Sequence, residues 1–359
     1  MNLFHGSFLD INVSPGRIIF SDNISLQLIE VLSNIGDNAG IISTSSCKER
    51  YYPRLGYIDS HFSEFSGRIT ETEINKHTEF FESKNIDFVI GLGGGKAIDC
   101  AKCVAFNLRK PFIAMPTSSA TCASFTSLAV IYNEKNEFES YKYLNTPPVI
   151  VFLDSKILRE APDRLLAAGI GDTIAKYVET VSSAGISPED LFSNYSLEIA
   201  NKCIEICTES TKCGISTDKK ERDNINFANI ILSGLSSGIG GMSCFATIAH
   251  ALANGITKLE HGDKILHGEA IAYTILLEMI IEDFPVDEFQ FMVNLFRKCK
   301  LPCNSKELNN ISGLVLREEE LEIIYAHSQH RDETANLAKK KFTHEELILA
   351  FKYLENLKF

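Results

Sequence analysis

The first half of the chain places short, almost wholly apolar runs between amphipathic stretches. Gly40-Ile-Ile-Ser, Phe88-Val-Ile-Gly, Pro111-Phe-Ile-Ala-Met and Val149-Ile-Val-Phe-Leu lack the alternation of a half-exposed strand. A strand that is apolar on both faces is buried on both, as in a parallel sheet covered by helices. The expected N-terminal fold is therefore α/β, with a parallel Rossmann-like sheet. Beyond about Ser155 the pattern changes. Stretches beginning at Asp172, Leu191, Asn224, Ser243, His267, Val286, Arg317 and Thr343 carry apolar residues at helical spacing, which predicts an all-α C-terminal domain. The division expected is 1–155 and 156–359. Ser233-Gly-Leu-Ser-Ser-Gly-Ile-Gly-Gly241 should interrupt the helices with a turn or a close contact. No internal repeat or low-complexity linker is visible.

One junction carries chemistry. Phe88-Val-Ile-Gly-Leu-Gly-Gly-Gly-Lys-Ala-Ile-Asp-Cys-Ala-Lys102 reads as strand, tight loop and helix. Gly93, Gly94 and Gly95 would let the backbone approach a pyrophosphate at the helix N-terminus, and Lys96 could add a positive charge. The spacing is neither G-x-G-x-x-G nor a Walker pattern, so an ordinary glycine-rich turn of a doubly wound sheet stays open.

Asp172, in Gly-Ile-Gly-Asp-Thr, His250, in Ile-Ala-His-Ala, and His267, in Leu-His-Gly-Glu, supply one carboxylate and two imidazoles. Three such ligands with one open position make a catalytic rather than a structural metal site. The alternative is a pair of hydrogen-bonded core histidines. Ten cysteines include Cys100-Ala-Lys-Cys103, but no second C-x-x-C completes a zinc site, and Cys203 and Cys207 stand at helical spacing. Buried free thiols in a reducing compartment are expected.

Composition narrows the partners. The 359 residues are 45% hydrophobic and 23% charged, with a formal net charge of −12, and no basic run is present. That balance disfavours nucleic acid and anionic membranes and leaves a small-molecule substrate. The first ten residues lack a basic region followed by an apolar core, and the apolar stretch 270–281 contains Tyr273, Thr274 and Glu278. A cytoplasmic location without a membrane span is expected.

Taken together, Phe65-Ser-Gly-Arg-Ile-Thr, Gly93-Gly-Gly-Lys-Ala-Ile-Asp-Cys-Ala-Lys102, Met115-Pro-Thr-Ser-Ser-Ala-Thr-Cys-Ala-Ser, Leu128-Ala-Val-Ile-Tyr132 and Ala168-Gly-Ile-Gly-Asp-Thr173, with the two histidine segments in order, resemble the glycerol dehydrogenase branch of the iron-containing alcohol dehydrogenase and dehydroquinate synthase superfamily. The resemblance covers most of the chain. It implies a dehydroquinate synthase-like fold, a dinucleotide on the first domain, a metal and substrate on the second, and a homo-oligomer. Asp172, His250 and His267 would hold a divalent metal, most often Zn2+, with Fe2+, Mn2+ or Ni2+ as alternatives. Gly93, Gly94, Gly95, Lys96, Asp99, Thr117, Thr126, Leu128 and Tyr132 match positions around NAD(P)(H).

Departures from the family pattern bear on specificity. Cys122 stands where glycerol dehydrogenases carry an aspartate for the polyol, and a thiol is a poor polyol acceptor. Lys176 lies four residues after Asp172, on the same helix face. The iron-dependent subgroup has a further histidine ligand there; a lysine would instead hold a substrate carboxylate, or else turn to solvent. Both features resemble the hydroxycarboxylate dehydrogenase offshoot and imply a small 2-oxo acid. Ser43-Thr-Ser-Ser-Cys-Lys-Glu-Arg50 offers hydroxyls where relatives often place an aspartate, which leans toward NADPH unless Glu49 turns in. The alternatives are a vicinal diol dehydrogenase, a dehydroquinate synthase-like cyclase and a catalytically silent nucleotide-binding protein. His261 is expected in a surface loop.

Overall fold

A computed structural model describes residues 13–56, 58, 60–183, 191–241 and 246–357. Six strands, β1 (Arg17–Ser21), β2 (Ala39–Ser43), β3 (Ser60–Glu64), β4 (Phe88–Gly93), β5 (Phe112–Pro116) and β8 (Ile150–Asp154), form one parallel sheet in the order β1-β8-β5-β4-β2-β3. The four apolar runs are its central strands, and every residue of β2, β4, β5 and β8 is buried. The edge strands β1 and β3 are more polar and partly exposed, which hid them from an apolar-run reading. Helices α1 (Ser25–Ser33), α2 (Ser45–Tyr51), α3 (Glu71–Glu82) and α4 (Gly95–Leu108) connect the strands.

The chain reverses its direction of travel across the sheet between β2 and β4, so a crevice opens beyond the carboxyl ends of those strands. An antiparallel hairpin of β6 (Leu128–Tyr132) and β7 (Phe138–Tyr143) lies outside the sheet. A buried pair on α4 fastens it. Asp99 accepts the Val130 N–H at 3.1 Å and pairs with Lys102 at 2.9 Å, and Lys102 also donates to the Leu128 carbonyl.

After β8 every named element is a helix: α5 (Ser155–Arg159), α6 (Asp163–Ser182), α7 (Leu191–Ser210), α8 (Lys219–Phe227), α9 (Ser233–Gly240), α10 (Ile248–Ile256), α11 (His267–Ile281), α12 (Val286–Lys298), α13 (Ser305–Ser312), α14 (Glu318–Ser328) and α15 (His344–Asn356). Two sequence expectations need correction. Asp172 lies in the middle of α6, which begins at Asp163 behind Pro162. The glycine-rich stretch from Ser233 does not break the helices: α8 runs through a π turn at Ala228–Leu232 into α9. One of its glycines serves a close contact, since a Cβ on Gly234 would lie 2.5 Å from the Phe125 ring. The expected helix start at Ser243 falls outside the described residues. No helix among the described residues is long and apolar enough to cross a membrane.

Candidate functional site

A cavity of about 970 Å³ runs from the ends of β2 and β4 to the helices beyond the sheet. At its floor α6 and α11 meet backbone to backbone. A Cβ on Gly171 would lie 2.2 Å from the Gly268 oxygen, and one on Gly268 would lie 1.7 Å from the Ala168 oxygen. Only glycine permits that approach. Asp172 follows the first glycine and His267 precedes the second, so this contact sets the two side chains against each other, and His250 on α10 completes the group.

Asp172 Oδ1 is 3.7 Å from His250 Nε2 and 3.8 Å from His267 Nε2. One ligand atom from each of the three residues lies within 4.8 Å of the others. Ligands of a tetrahedral zinc with bonds of ~2.1 Å stand about 3.4 Å apart, so this donor set fits a divalent cation after a small contraction. All three residues line the cavity, which leaves a side for substrate.

Electrostatics keep Asp172 ionised. Burial alone would raise the Asp172 carboxyl, but Lys176, His250 and His267 outweigh it and hold it well below the usual carboxylate range. Burial opposes charge on His250, yet Glu179 and the Asp172 hydrogen bond prevail and push it up to about 9. Burial pulls His267 down to about 4.

Glu179 is a site residue that sequence reasoning passed over. It is fully buried, and His250 Nδ1 donates to its carboxylate at 2.7 Å, which leaves Nε2 facing Asp172. Such an outer carboxylate fixes the tautomer and the ring orientation of a metal-binding histidine. The available signal was its position: Asp172, Lys176 and Glu179 stand at i, i+4 and i+7 on one face of α6. Glu179→Gln is expected to weaken zinc binding about 10- to 100-fold, read by competition with a chelating dye. Unchanged affinity would refute the role.

Lys176 does not turn to solvent. It is buried with Nζ 3.7 Å from Asp172 Oδ1 and lines the cavity. Burial acts against its charge, but Asp172, Cys122 and Glu179 raise its pKa. Cys122 also lines the cavity, its thiol pushed up by burial and then by Asp172. Asn229, in the π turn, joins the two sides of the site. Its Oδ1 accepts from Thr173 Oγ1 at 3.0 Å, and its Nδ2 donates to Ser119 Oγ at 3.4 Å in the loop that carries Cys122.

On the sheet side, Gly94, Gly95, Lys96, Asp99, Thr117, Thr126, Leu128 and Tyr132 all line the cavity. Gly93 does not line it; it ends β4 with a φ of +153° and accepts the Thr117 N–H at 2.9 Å, which joins the two loops. Lys96 is tied to the hairpin, donating to Asn136 Oδ1 at 2.7 Å with Nζ 4.6 Å from the centre of the Tyr132 ring. Asp99 is engaged in bracing the hairpin. Thr44, Ser46 and Arg50 line the cavity, whereas Lys48 and Glu49 face a separate recess. His261 lies in a partly exposed turn after α10, as expected. The cysteines among the described residues are free, and Cys100, Cys103, Cys203 and Cys207 are buried.

Comparison with known proteins gives consistent relatives. The family model described as "Iron-containing alcohol dehydrogenase" matches residues 15–155. A glycerol dehydrogenase of Citrobacter freundii is 30% identical over 72% of this chain and 73% of its own. Hydroxycarboxylate dehydrogenase A of Escherichia coli K12 is 29% identical over 85% of both. The crystal structure of a probable glycerol dehydrogenase from Sinorhizobium meliloti 1021 superposes with a TM-score of 0.86 at 25% identity, covering 97% of this chain and 98% of its own.

Proposed function

Because this chain belongs to the iron-containing alcohol dehydrogenase superfamily, in its glycerol dehydrogenase branch, we propose that its cavity carries out hydride transfer between a nicotinamide dinucleotide and a small 2-oxo or 2-hydroxy acid. The family makes the chain a metal-dependent oxidoreductase of the alcohol dehydrogenase type; the substrate is argued from the site. Asp172, His250 and His267 would hold the divalent cation, with zinc the expected ion. The bound cation would supply a Lewis acid to the substrate oxygen, and the nicotinamide would supply or accept the hydride.

The observation that carries the substrate reading is Lys176, a buried ammonium beside Asp172 on the cavity wall. A 2-oxo acid places a carboxylate next to its reacting carbonyl, so a cation near the three ligands would orient it. Cys122 removes the acceptor that a polyol would need. The relative named hydroxycarboxylate dehydrogenase supports the same reading. On the cofactor side, Gly94, Gly95, Lys96, Asp99, Thr117, Thr126, Leu128 and Tyr132 would form the dinucleotide groove. Thr44, Ser46 and Arg50 at its far end, with Glu49 facing elsewhere, favour the 2′-phosphate of NADPH. In this layout residues 1–155 bind the dinucleotide and residues 156–359 the metal and substrate, in a cytoplasmic homo-oligomer.

A panel of 2-oxobutyrate, 2-oxoglutarate and dihydroxyacetone, each with NADPH and NADH and a chelated control, tests this. Chelator-sensitive reduction of an oxo acid is expected. Lys176→Met should cut its kcat/KM about 10- to 100-fold, the worth of one charged hydrogen bond, while changing dihydroxyacetone turnover far less. The second reading is a vicinal diol dehydrogenase, favoured by the name of the Citrobacter relative. Preference for dihydroxyacetone with NADH would establish it and overturn the oxo-acid proposal.

A further inference from the structure

The N-terminus of α10, the helix that bears His250, is buried, and its N-cap residue Thr247 makes no side-chain capping bond. The first amides of any helix lack intrahelical partners, and inside a protein they must find others. Here two carboxylates from other helices supply them. Glu179 accepts the N–H of Thr247 at 2.8 Å and of His250 at 3.2 Å. Glu278 accepts the Ala249 N–H at 2.6 Å and the Thr247 hydroxyl at 2.6 Å. The Thr247 carbonyl in turn accepts from Thr334 Oγ1 at 2.8 Å. Both carboxylates are wholly buried. Glu179 stands on α6 with Asp172, and Glu278 stands on α11 with His267. Each helix that brings one ligand therefore also brings a carboxylate to the start of the helix that brings the third.

We infer that Glu278, which sits behind the site rather than in it, is a positioning residue for His250, holding the first turn of α10 through Thr247 and Ala249 so that the imidazole meets Asp172 and His267. The inference rests on the metal site proposed above. A buried carboxylic acid is an expensive way to fill space, and the influences that act most strongly on Glu278 are burial, Glu179 and its two bonds to α10, with no cation among them. Burial, and then the neighbouring Glu179, push its pKa up and so favour the protonated form, with one oxygen accepting the Ala249 N–H and the other meeting the Thr247 hydroxyl. A neutral glutamine is then its closest substitute. Leucine keeps the volume and abolishes both hydrogen bonds.

The test is cobalt(II) binding to the full chain, measured by competition with a chelating dye and by the visible spectrum of the bound ion, beside NADPH binding by fluorescence. Glu278→Leu should weaken cobalt about 10- to 100-fold and alter its spectrum while NADPH affinity stays within about twofold. Glu278→Gln should restore both cobalt readouts to near wild type. Should the leucine variant fail to fold, Thr247→Val removes only the hydroxyl and is expected to weaken cobalt about threefold to tenfold. Unchanged cobalt affinity and spectrum in the leucine or valine variant would overturn the inference, as would equal loss of cobalt and NADPH affinity. If the wild-type chain binds no cobalt, the metal site itself is refuted, and this inference with it.

Discussion

Asp172→Ala is expected to lower kcat/KM by at least about 1000-fold and to yield protein without stoichiometric metal. The residue is the anion around which the site is arranged: His250, His267 and Lys176 all lie within 3.8 Å of its Oδ1. Removing it would take away one of the three proposed ligands and would also leave the buried ammonium of Lys176 beside the position proposed for a dication. A buried charge stripped of its partner costs about 3–5 kcal/mol. The measurement is metal content by mass spectrometry together with steady-state kinetics. Asp172→Asn keeps the volume and separates lost charge from lost packing. Activity within tenfold of wild type, with metal retained, would mean that the three residues are not the ligands.

The second large effect concerns stability. Gly268→Val is expected to destabilise the fold by about 3 kcal/mol or more, lowering Tm by roughly 4 °C or more. Even the first carbon of the new side chain would fall 1.7 Å from the Ala168 oxygen, a main-chain atom of α6 that moves only if the helix does. Any separation of α6 from α11 also separates Asp172 from His267, so metal affinity should fall with Tm. Gly94→Ala is the contrasting case. A Cβ there meets nothing nearer than Ser118 Oγ at 3.9 Å, and the residue lines the sheet side of the cavity, where the dinucleotide is proposed to lie. It should leave Tm nearly unchanged and weaken NADPH binding. Calorimetry and fluorescence titration distinguish the two; a Gly268→Val protein with wild-type Tm would show that the helices slide apart at little cost.

What the sequence could announce depended on how each element meets its neighbours. β2, β4, β5 and β8 were legible because burial on both faces left them uninterrupted apolar runs. β1 and β3 sit at the edges and β7 is half-exposed, so polar residues diluted the same signal in them. α11 is the converse case: nearly every residue is buried and no polar stripe marks its faces, yet the helix begins at His267 as its spacing predicted. At the site, Asp172, His250, His267, Cys122 and Lys176 were found through local motifs, and all line one cavity. Glu179 and Glu278 were not found, because their main partners are main-chain amides of α10, which carry no residue identity. Lys96 and Asp99 are bound into bracing the hairpin, a use that strand-loop-helix spacing alone does not show.

The three candidate ligands come from three different helices and lie far apart along the chain, so the unfolded protein holds no preformed site. Metal affinity is then part of the free energy of folding, and each tenfold excess of free ion over its dissociation constant adds about 1.4 kcal/mol to the folded state. Chelators should act on this protein as mild denaturants. Its melting temperature becomes a property of the solution as well as of the sequence, and a variant should be called unstable only when the free-ion concentration is stated.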